Sequence, residues 1–202
     1  MIHVYAFTPA GVRIDGIEGV GGIPVEACTV QDVAAIVSTG HGDGSEPTTE
    51  ALLAHGHVVE ALRNRCDAVL PVRFGERITR LALVTAVTEQ LPMWRARLGR
   101  VRGCVEFGVR MLPPPILVVA SSGTDYMRLR QAALEQTDAL LSELSRRARA
   151  SVVGRDHAAA YLVPVEERPG FERAVANFTA SHPDLTVVCT GPWAPYSFAE
   201  AS

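Results

Sequence analysis

The 202-residue chain predicts an α+β protein of two compact units of about 100 residues each. Three observations carry that prediction. Short runs of β-forming residues bounded by Gly and Pro alternate with stretches of helical spacing. The segment Gly99–Gly103 reads as a junction, dividing the chain into 1–98 and 99–202. After it, the elements follow the order β-α-β-α-β.

Taken in order, Ile2–Phe7 (IHVYAF) is the first strand, stopped at Thr8-Pro9. A Gly-rich loop runs through Gly22. The stretch IPVEACTV is the second strand and Asp32–Thr39 (DVAAIVST) the third. Residues Gly40–Pro47 form a turn-rich loop. Thr48 or Thr49 caps a helix reaching about Cys66, with Leu52, His55, Val59, Leu62 and Cys66 as its buried stripe. A short strand, AVLPV, follows. A second helix covers Leu81–Leu98, kinked or split by Pro92.

Beyond the junction, Cys104–Leu112 alternates as a strand, and Pro113–Pro115 form a stiff break. The run ILVVA extends that strand or begins another. The longest helix spans about 125–150, with Met127, Leu134, Leu141 and Ala148 recurring every seven residues and Leu144 beside them. Arg146, Arg147 and Arg149 suit the negative end of its dipole. A strand (AAYLVPV), a short helix (FERAVANFTASH) and a last strand (LTVVCTG) complete the unit. The tail PWAPYSFAEAS is too Pro-rich for helix or strand.

Composition narrows the function classes. A 48% hydrophobic share supplies real cores. All nineteen basic residues are Arg, the net charge is −3, and acids slightly exceed Arg in both halves. That balance argues against general attraction to nucleic acid. Four cysteines, Cys28, Cys66, Cys104 and Cys189, are scattered without a CxxC, as expected of core thiols in a reducing cytosol. The amino-terminal stretch lacks the pattern of a signal peptide, and the longest apolar run is too short to span a bilayer. A soluble cytoplasmic protein is the expectation.

The residues that carry chemistry are few. His55 and His57 point to opposite sides of a helix, and His57 with Glu60 supplies two ligands without a third. His55 is better read as a partly buried stripe residue and His57 as exposed. The cysteines lack an adjacent base. Ser121-Ser122-Gly123 lacks the spacing and the lysine of a phosphate loop, so a helix cap is the simpler account. The GIEGVGG loop opens no βα crossover, and no carboxylate pair stands out. Neither a metal, nor a cofactor, nor catalysis is expected.

Two stretches remain: VLPVRFGE, with Pro71, Arg73, Phe74 and Gly75, and GPWAPYSF, with Gly191, Pro192, Trp193, Pro195, Tyr196 and Phe198. Together with VYAF, LAHGHVVEAL and AYLVP, in the same order along nearly the whole chain, they resemble the gas vesicle protein F/L family. The resemblance spans F-type and L-type members alike. It implies two α+β domains, at least one ferredoxin-like, which here falls in the C-terminal half. It also implies a non-enzymatic accessory role in gas vesicle assembly, with the small hydrophobic shell protein and other vesicle accessory proteins as partners. No nucleic acid or membrane partner follows from it. The competing readings are a small-molecule enzyme of ferredoxin-like fold, marked by a closed pocket holding a perturbed His or Tyr, and an RNA-binding module. The latter would need exposed sheet aromatics such as Tyr5, Phe7 and Phe107.

Within VLPVRFGE, Pro71 belongs at a strand edge, because it cannot donate to a ladder. Gly75 permits the turn that follows. The guanidinium fork of Arg73 is expected to bind carbonyls as a structural pin, ahead of direct partner contact. Phe74 is expected in the core. The tail is expected to fold back, with Trp193 wedged where the two domains meet.

Overall fold

The computed structural model describes residues 1–39, 48–112, 122–154, 158–183 and 185–199. The expected loop at 40–47, the Pro113–Pro115 break and the 116–120 run lie outside them. The chain forms two units, Met1–Cys104 with Ala194–Ser202, and Val105–Trp193. The division therefore differs from 1–98 and 99–202 in two ways. Helical structure continues through the expected junction to Val101, and the last residues return to the first unit.

The first unit contains strands β1 (Ile2–Pro9), β2 (Glu26–Val30), β3 (Val33–Ser38), β4 (Leu70–Pro71) and β5 (Arg77–Ile78). The sheet runs β2-β3-β1-β4, and β5 also pairs with β1. Strand β1 is central, and its first seven residues are all buried, which is why it reads as a continuous apolar run rather than an alternating one. It runs antiparallel to β3, from His3 opposite Ser38 to Pro9 opposite Val33, with an irregularity between Val4 and Ala6. Helix α1 (Thr49–Arg63) is capped by the Thr48 hydroxyl, which accepts from the Ala51 amide. It buries His55, Val58, Val59 and Leu62 against the sheet, while Leu52 of the expected stripe is exposed.

Pro92 does split the second helical stretch. α2 (Arg80–Glu89) ends at Gln90, and α3 (Leu91–Val101) begins with Pro92 in its first turn, where a missing amide hydrogen costs nothing. The face Leu91, Leu98 and Val101 of α3 is buried. Its outer face is fastened to the β2–β3 turn: Arg95 donates from Nε to both Asp32 carboxylate oxygens at 2.9 and 3.0 Å, and from Nη2 to the Gln31 side-chain oxygen at 3.1 Å. The Arg95 hydrogen bond is the main reason the Asp32 carboxyl is held below its ordinary pKa.

In the second unit, β6 (Cys104–Leu112) is followed by α4 (Gly123–Arg146), β7 (Ala150–Val153), β8 (Ala158–Pro164), α5 (Arg168–Ser181) and β9 (Thr186–Trp193). The sheet order is β7-β8-β6-β9. The succession is β-α-β-β-α-β, one strand more than the expected β-α-β-α-β, and it is that of a split βαβ motif. The long helix stops at Arg146 instead of about 150, where the Arg147 amide turns back to the Leu144 carbonyl at 3.0 Å. The residues released, Ala150–Val153, pair with β8 from Ala150 opposite Leu162 to Val153 opposite Ala159. The Ser122 hydroxyl caps α4 by accepting from the Asp125 amide, as the helix-cap reading expected.

The buried stripe of α4 is Thr137, Leu140 and Leu144, flanked by Leu141; Met127 is exposed, and the Leu134 side chain lies outside the described set. Leu140, Leu141 and Leu144 pack with Phe107, Tyr161, Phe171, Ala174 and Val175 in one core. Burial pushes the Tyr161 hydroxyl up to about 12.

The tail also departs from expectation. Strand β9 continues through Pro192 to Trp193, and a one-turn helix, α6 (Tyr196–Ala199), follows. At Gly191, φ is +124° and an added Cβ would sit 2.7 Å from the Glu106 carbonyl oxygen and 3.1 Å from the Phe107 ring. No other residue type fits there without displacing β6.

Candidate functional site

The first unit holds a cleft of about 280 Å³ whose lining draws on both stretches that sequence reasoning could not explain. Leu70, Pro71, Val72, Arg73, Glu76 and Arg77 form one side, and Tyr196 and Ala199 of α6 another. Phe7 of β1, Leu83 of α2, and Trp94 and Arg97 of α3 complete the lining, with Ile78 and Val4. The lining is mainly apolar, and among the described residues its charged groups are three arginines and one glutamate.

Local sequence explains each wall. β4 is only two residues long because Pro71 ends its ability to donate; the Val72 amide still reaches the Tyr5 carbonyl at 2.8 Å. Gly75, with φ at +98°, makes the turn that lets β5 come back to β1, where Ile2 faces Ile78 and His3 faces Arg77. Trp94 and Arg97 lie three residues apart on one face of α3. The Trp94 ring stacks on Phe7 with centroids 3.9 Å apart, and the Arg97 guanidinium lies 5.3 Å from the Trp94 centroid. Among the described residues, Trp94 Nε1 and Arg97 Nε are buried without a hydrogen-bond partner.

The tail folds back, but by a different residue than expected. Phe198 is 1% exposed, and Ala194 is buried in the same unit, whereas Trp193 is 54% exposed at the end of β9. α6 packs on β4 and α3, and the Arg100 guanidinium sits 5.7 Å from the Phe198 ring centre. Pro195 opens this turn, its carbonyl accepting from the Phe198 amide at 3.2 Å. Tyr196 remains 38% exposed on the cleft. Gly191, Pro192 and Trp193 belong to the second unit and lie outside the cleft lining.

Arg73 is exposed on the cleft rim. Arginine pinning of carbonyls is seen at Arg65, which donates to the carbonyls of Arg13 at 3.2 Å and Asp15 at 2.9 Å. Phe74 is half-buried rather than fully buried. Its ring lies 5.4 Å from that of His3 and 5.7 Å from that of His55. The two histidines are buried and bonded to each other at 2.9 Å, and they are not part of the cleft lining. Burial chiefly lowers both imidazoles, His3 to about 4. His57 is exposed, and among the described residues no group of three or more His, Cys, Asp or Glu is placed to hold a metal ion. No described helix is long and apolar enough to cross a membrane.

Sequence reasoning singled out Pro71, Arg73 and Tyr196 but missed Phe7, Leu83, Trp94 and Arg97. The available signal was on α3. Leu91, Trp94, Leu98 and Val101 follow a three-four spacing, and an arginine beside that stripe at Arg97 has to emerge at its edge.

The fold and the cleft define a two-unit α+β protein whose first unit carries an apolar, arginine-rimmed recess built on a five-stranded sheet. Comparison with known proteins agrees with the motifs. Residues 1–124 and 125–200 match the family described as gas vesicle synthesis protein GvpL/GvpF, and the chain belongs to that family. It is 30% identical to gas vesicle protein F2 of Halobacterium salinarum, over 94% of this chain and 85% of the relative. It is likewise 30% identical to gas vesicle protein L of a Streptomyces species, over 98% of this chain and 92% of that protein. The fold matches the crystal structure of GvpF from Microcystis aeruginosa with a TM-score of 0.79 at 18% identity, covering 99% of each chain. It matches that of GvpF from an Anabaena species with a TM-score of 0.81 at 18% identity, covering 100% of this chain and 96% of that one. Membership assigns the chain a role in gas vesicle formation.

Proposed function

We propose that the protein is a non-enzymatic accessory factor, associated with gas vesicles in the cytoplasm, that binds the hydrophobic shell subunit while vesicles form. The observation that carries this reading is the convergence of Leu70–Arg77 and Tyr196, the stretches behind the family resemblance, on one apolar cleft. A small hydrophobic subunit has to be shielded before it is incorporated, since exposed apolar surface seeks partners. A cleft with an aromatic and aliphatic floor offers a docking point for one of its apolar segments.

The competing readings draw less support. The perturbed histidines that an enzyme would use, His3 and His55, face each other inside the core and not the cleft. Tyr196, whose hydroxyl burial pushes up, does line the cleft but is 38% exposed, so it does not meet the closed-pocket criterion. The aromatics that an RNA-binding sheet would expose, Tyr5, Phe7 and Phe107, are buried.

The test is co-expression with the shell subunit and recovery on the tagged protein, together with a clean gene deletion. Retention of the subunit and impaired vesicle formation are expected. Normal vesicles in the deletion strain, with no paralogue present, exclude the assignment.

A further inference from the structure

We propose that the cleft of the first unit reads a carboxylate. Its occupant is a short apolar segment of the shell subunit that carries one acidic side chain, and this rests on the shell-binding reading above. Three features point to that chemistry. Among the described residues the charged lining is Arg73, Arg77, Arg97 and Glu76, three arginines to one glutamate in a chain whose net charge is −3. The arginines come from separate elements, Arg73 and Arg77 from the β4–β5 segment and Arg97 from α3, and a guanidinium fork suits a carboxylate. Finally, among the described residues the Nε of Arg97 has no acceptor, although it is buried. An oxyanion beside it supplies one after a small rotation of the side chain, and buried donors are costly when left unpaired.

The apolar part of the occupant follows from the rest of the lining. Phe7, Leu83, Trp94 and Ile78 present hydrocarbon and ring faces. A volume of about 280 Å³ admits two or three side chains and not a whole domain. An acidic side chain flanked by leucines meets both demands. Charge-assisted bonds over an apolar floor also gain from the reduced local dielectric.

The probes are two blocked pentapeptides, acetyl-Ala-Leu-Glu-Leu-Ala-amide and its Gln counterpart. The chain has two tryptophans, so Trp193→Phe leaves Trp94, in the cleft wall, as the sole fluorescent reporter. The Glu peptide is expected to bind about tenfold more tightly than the Gln peptide, a difference of about 1.4 kcal/mol. That gap is expected to close in an Arg73→Gln/Arg97→Gln variant whose thermal unfolding shows it folded. Equal binding of the two peptides, or binding of neither, overturns the carboxylate reading without relying on any arginine variant. Pull-down of the intact shell subunit separates the two levels of the argument. If wild type and the double arginine variant retain it equally, the cleft assignment fails and shell binding stands. If wild type itself retains none, the shell-binding reading fails.

Discussion

His3 donates its Nε2 hydrogen to Nδ1 of His55 at 2.9 Å, and His55 passes its own Nε2 hydrogen to the carbonyl of Val72, also at 2.9 Å. The direction follows from the last acceptor: a carbonyl oxygen only accepts, so Nε2 of His55 carries the hydrogen and its Nδ1 is free to accept. His55 is therefore neutral, and burial, which lowers His3 to about 4, leaves His3 neutral near pH 7 as well. The chain of bonds ties β1 to α1 and α1 to the loop that carries Arg73 and Phe74. The same loop edges the cleft, so a core hydrogen-bond pair supports a surface feature.

Stability should consequently depend on pH. Burial first, then the charges of His55 and Arg77, lower His3 from its ordinary 6.5 to about 4, and burial lowers His55 as well. Between those values the unfolded chain takes up protons that the folded chain does not. Stability is thus fully present above pH 6.5 and is lost as pH falls toward 4. Chemical denaturation from pH 8 to pH 4 measures it. A His3→Gln variant should show a shallower dependence over that window, and an unchanged slope would contradict the neutral-pair assignment.

The two aromatics at the ends of the tail should behave oppositely. Phe198, buried against β4 and α3, should cost about 3–5 kcal/mol on truncation to Ala. Trp193, more than half exposed, should cost less than about 1 kcal/mol and remain open to a soluble fluorescence quencher. Denaturant unfolding of both variants checks the pair. A large loss at Trp193 with none at Phe198 would reverse the assignment.

That contrast shows what the sequence made legible and what it did not. Pro192, Trp193 and the residues around them announced an aromatic tail that folds back, but one-dimensional pattern does not reveal which ring turns inward. The choice is made by β9, which runs as far as Trp193, and by the turn at Pro195 that begins α6. Strand β7 was hidden because Arg146–Arg149 extend a helical charge pattern beyond the point where the chain turns. The cleft was half legible. The segment from Pro71 to Gly75 stood out through its unusual chemistry, whereas Phe7 and Trp94 look like ordinary core residues until the fold stacks them 3.9 Å apart.

Tyr5 should prove to be a polar keystone of the first unit. Its hydroxyl accepts from the Val20 amide at 2.8 Å and pairs with the Ser38 hydroxyl at 2.9 Å, and the side chain is fully buried. Tyr5→Phe removes both links at nearly constant volume and leaves a partly buried amide without its acceptor. A loss of about 1–3 kcal/mol is expected in denaturant unfolding. A change within experimental error would mean that water replaces the hydroxyl.

Gly191→Ala should destabilise the second unit. Its φ of +124° is unfavourable for any L side chain, and the new methyl group would lie 2.7 Å from the Glu106 carbonyl oxygen. Relief requires β9 to move away from β6, whose register places Gly108 opposite Thr190 and Val109 opposite Cys189. A cost of at least about 1–3 kcal/mol follows from the backbone strain alone. Amide exchange in β6 and β9 should rise while that of β1 and β3 stays protected, and uniform protection would show that the strand pair absorbs the methyl group.

Arg73 tests whether the cleft rim acts through stability or through contact. Its side chain is exposed at the rim, where interactions of charged groups with their neighbours are worth little, typically below about 1 kcal/mol. Arg73→Ala should therefore leave thermal unfolding nearly unchanged and reduce retention of the shell subunit. Arg73→Lys separates charge from shape: if the planar fork grips a carboxylate, lysine should restore only part of the binding. Measuring melting temperature and pull-down yield on the same preparations makes the outcome decisive. A parallel fall in both would assign Arg73 the carbonyl-pinning role that its place beside Pro71 first suggested. Loss of retention with an unchanged melting temperature would place it in the docking surface.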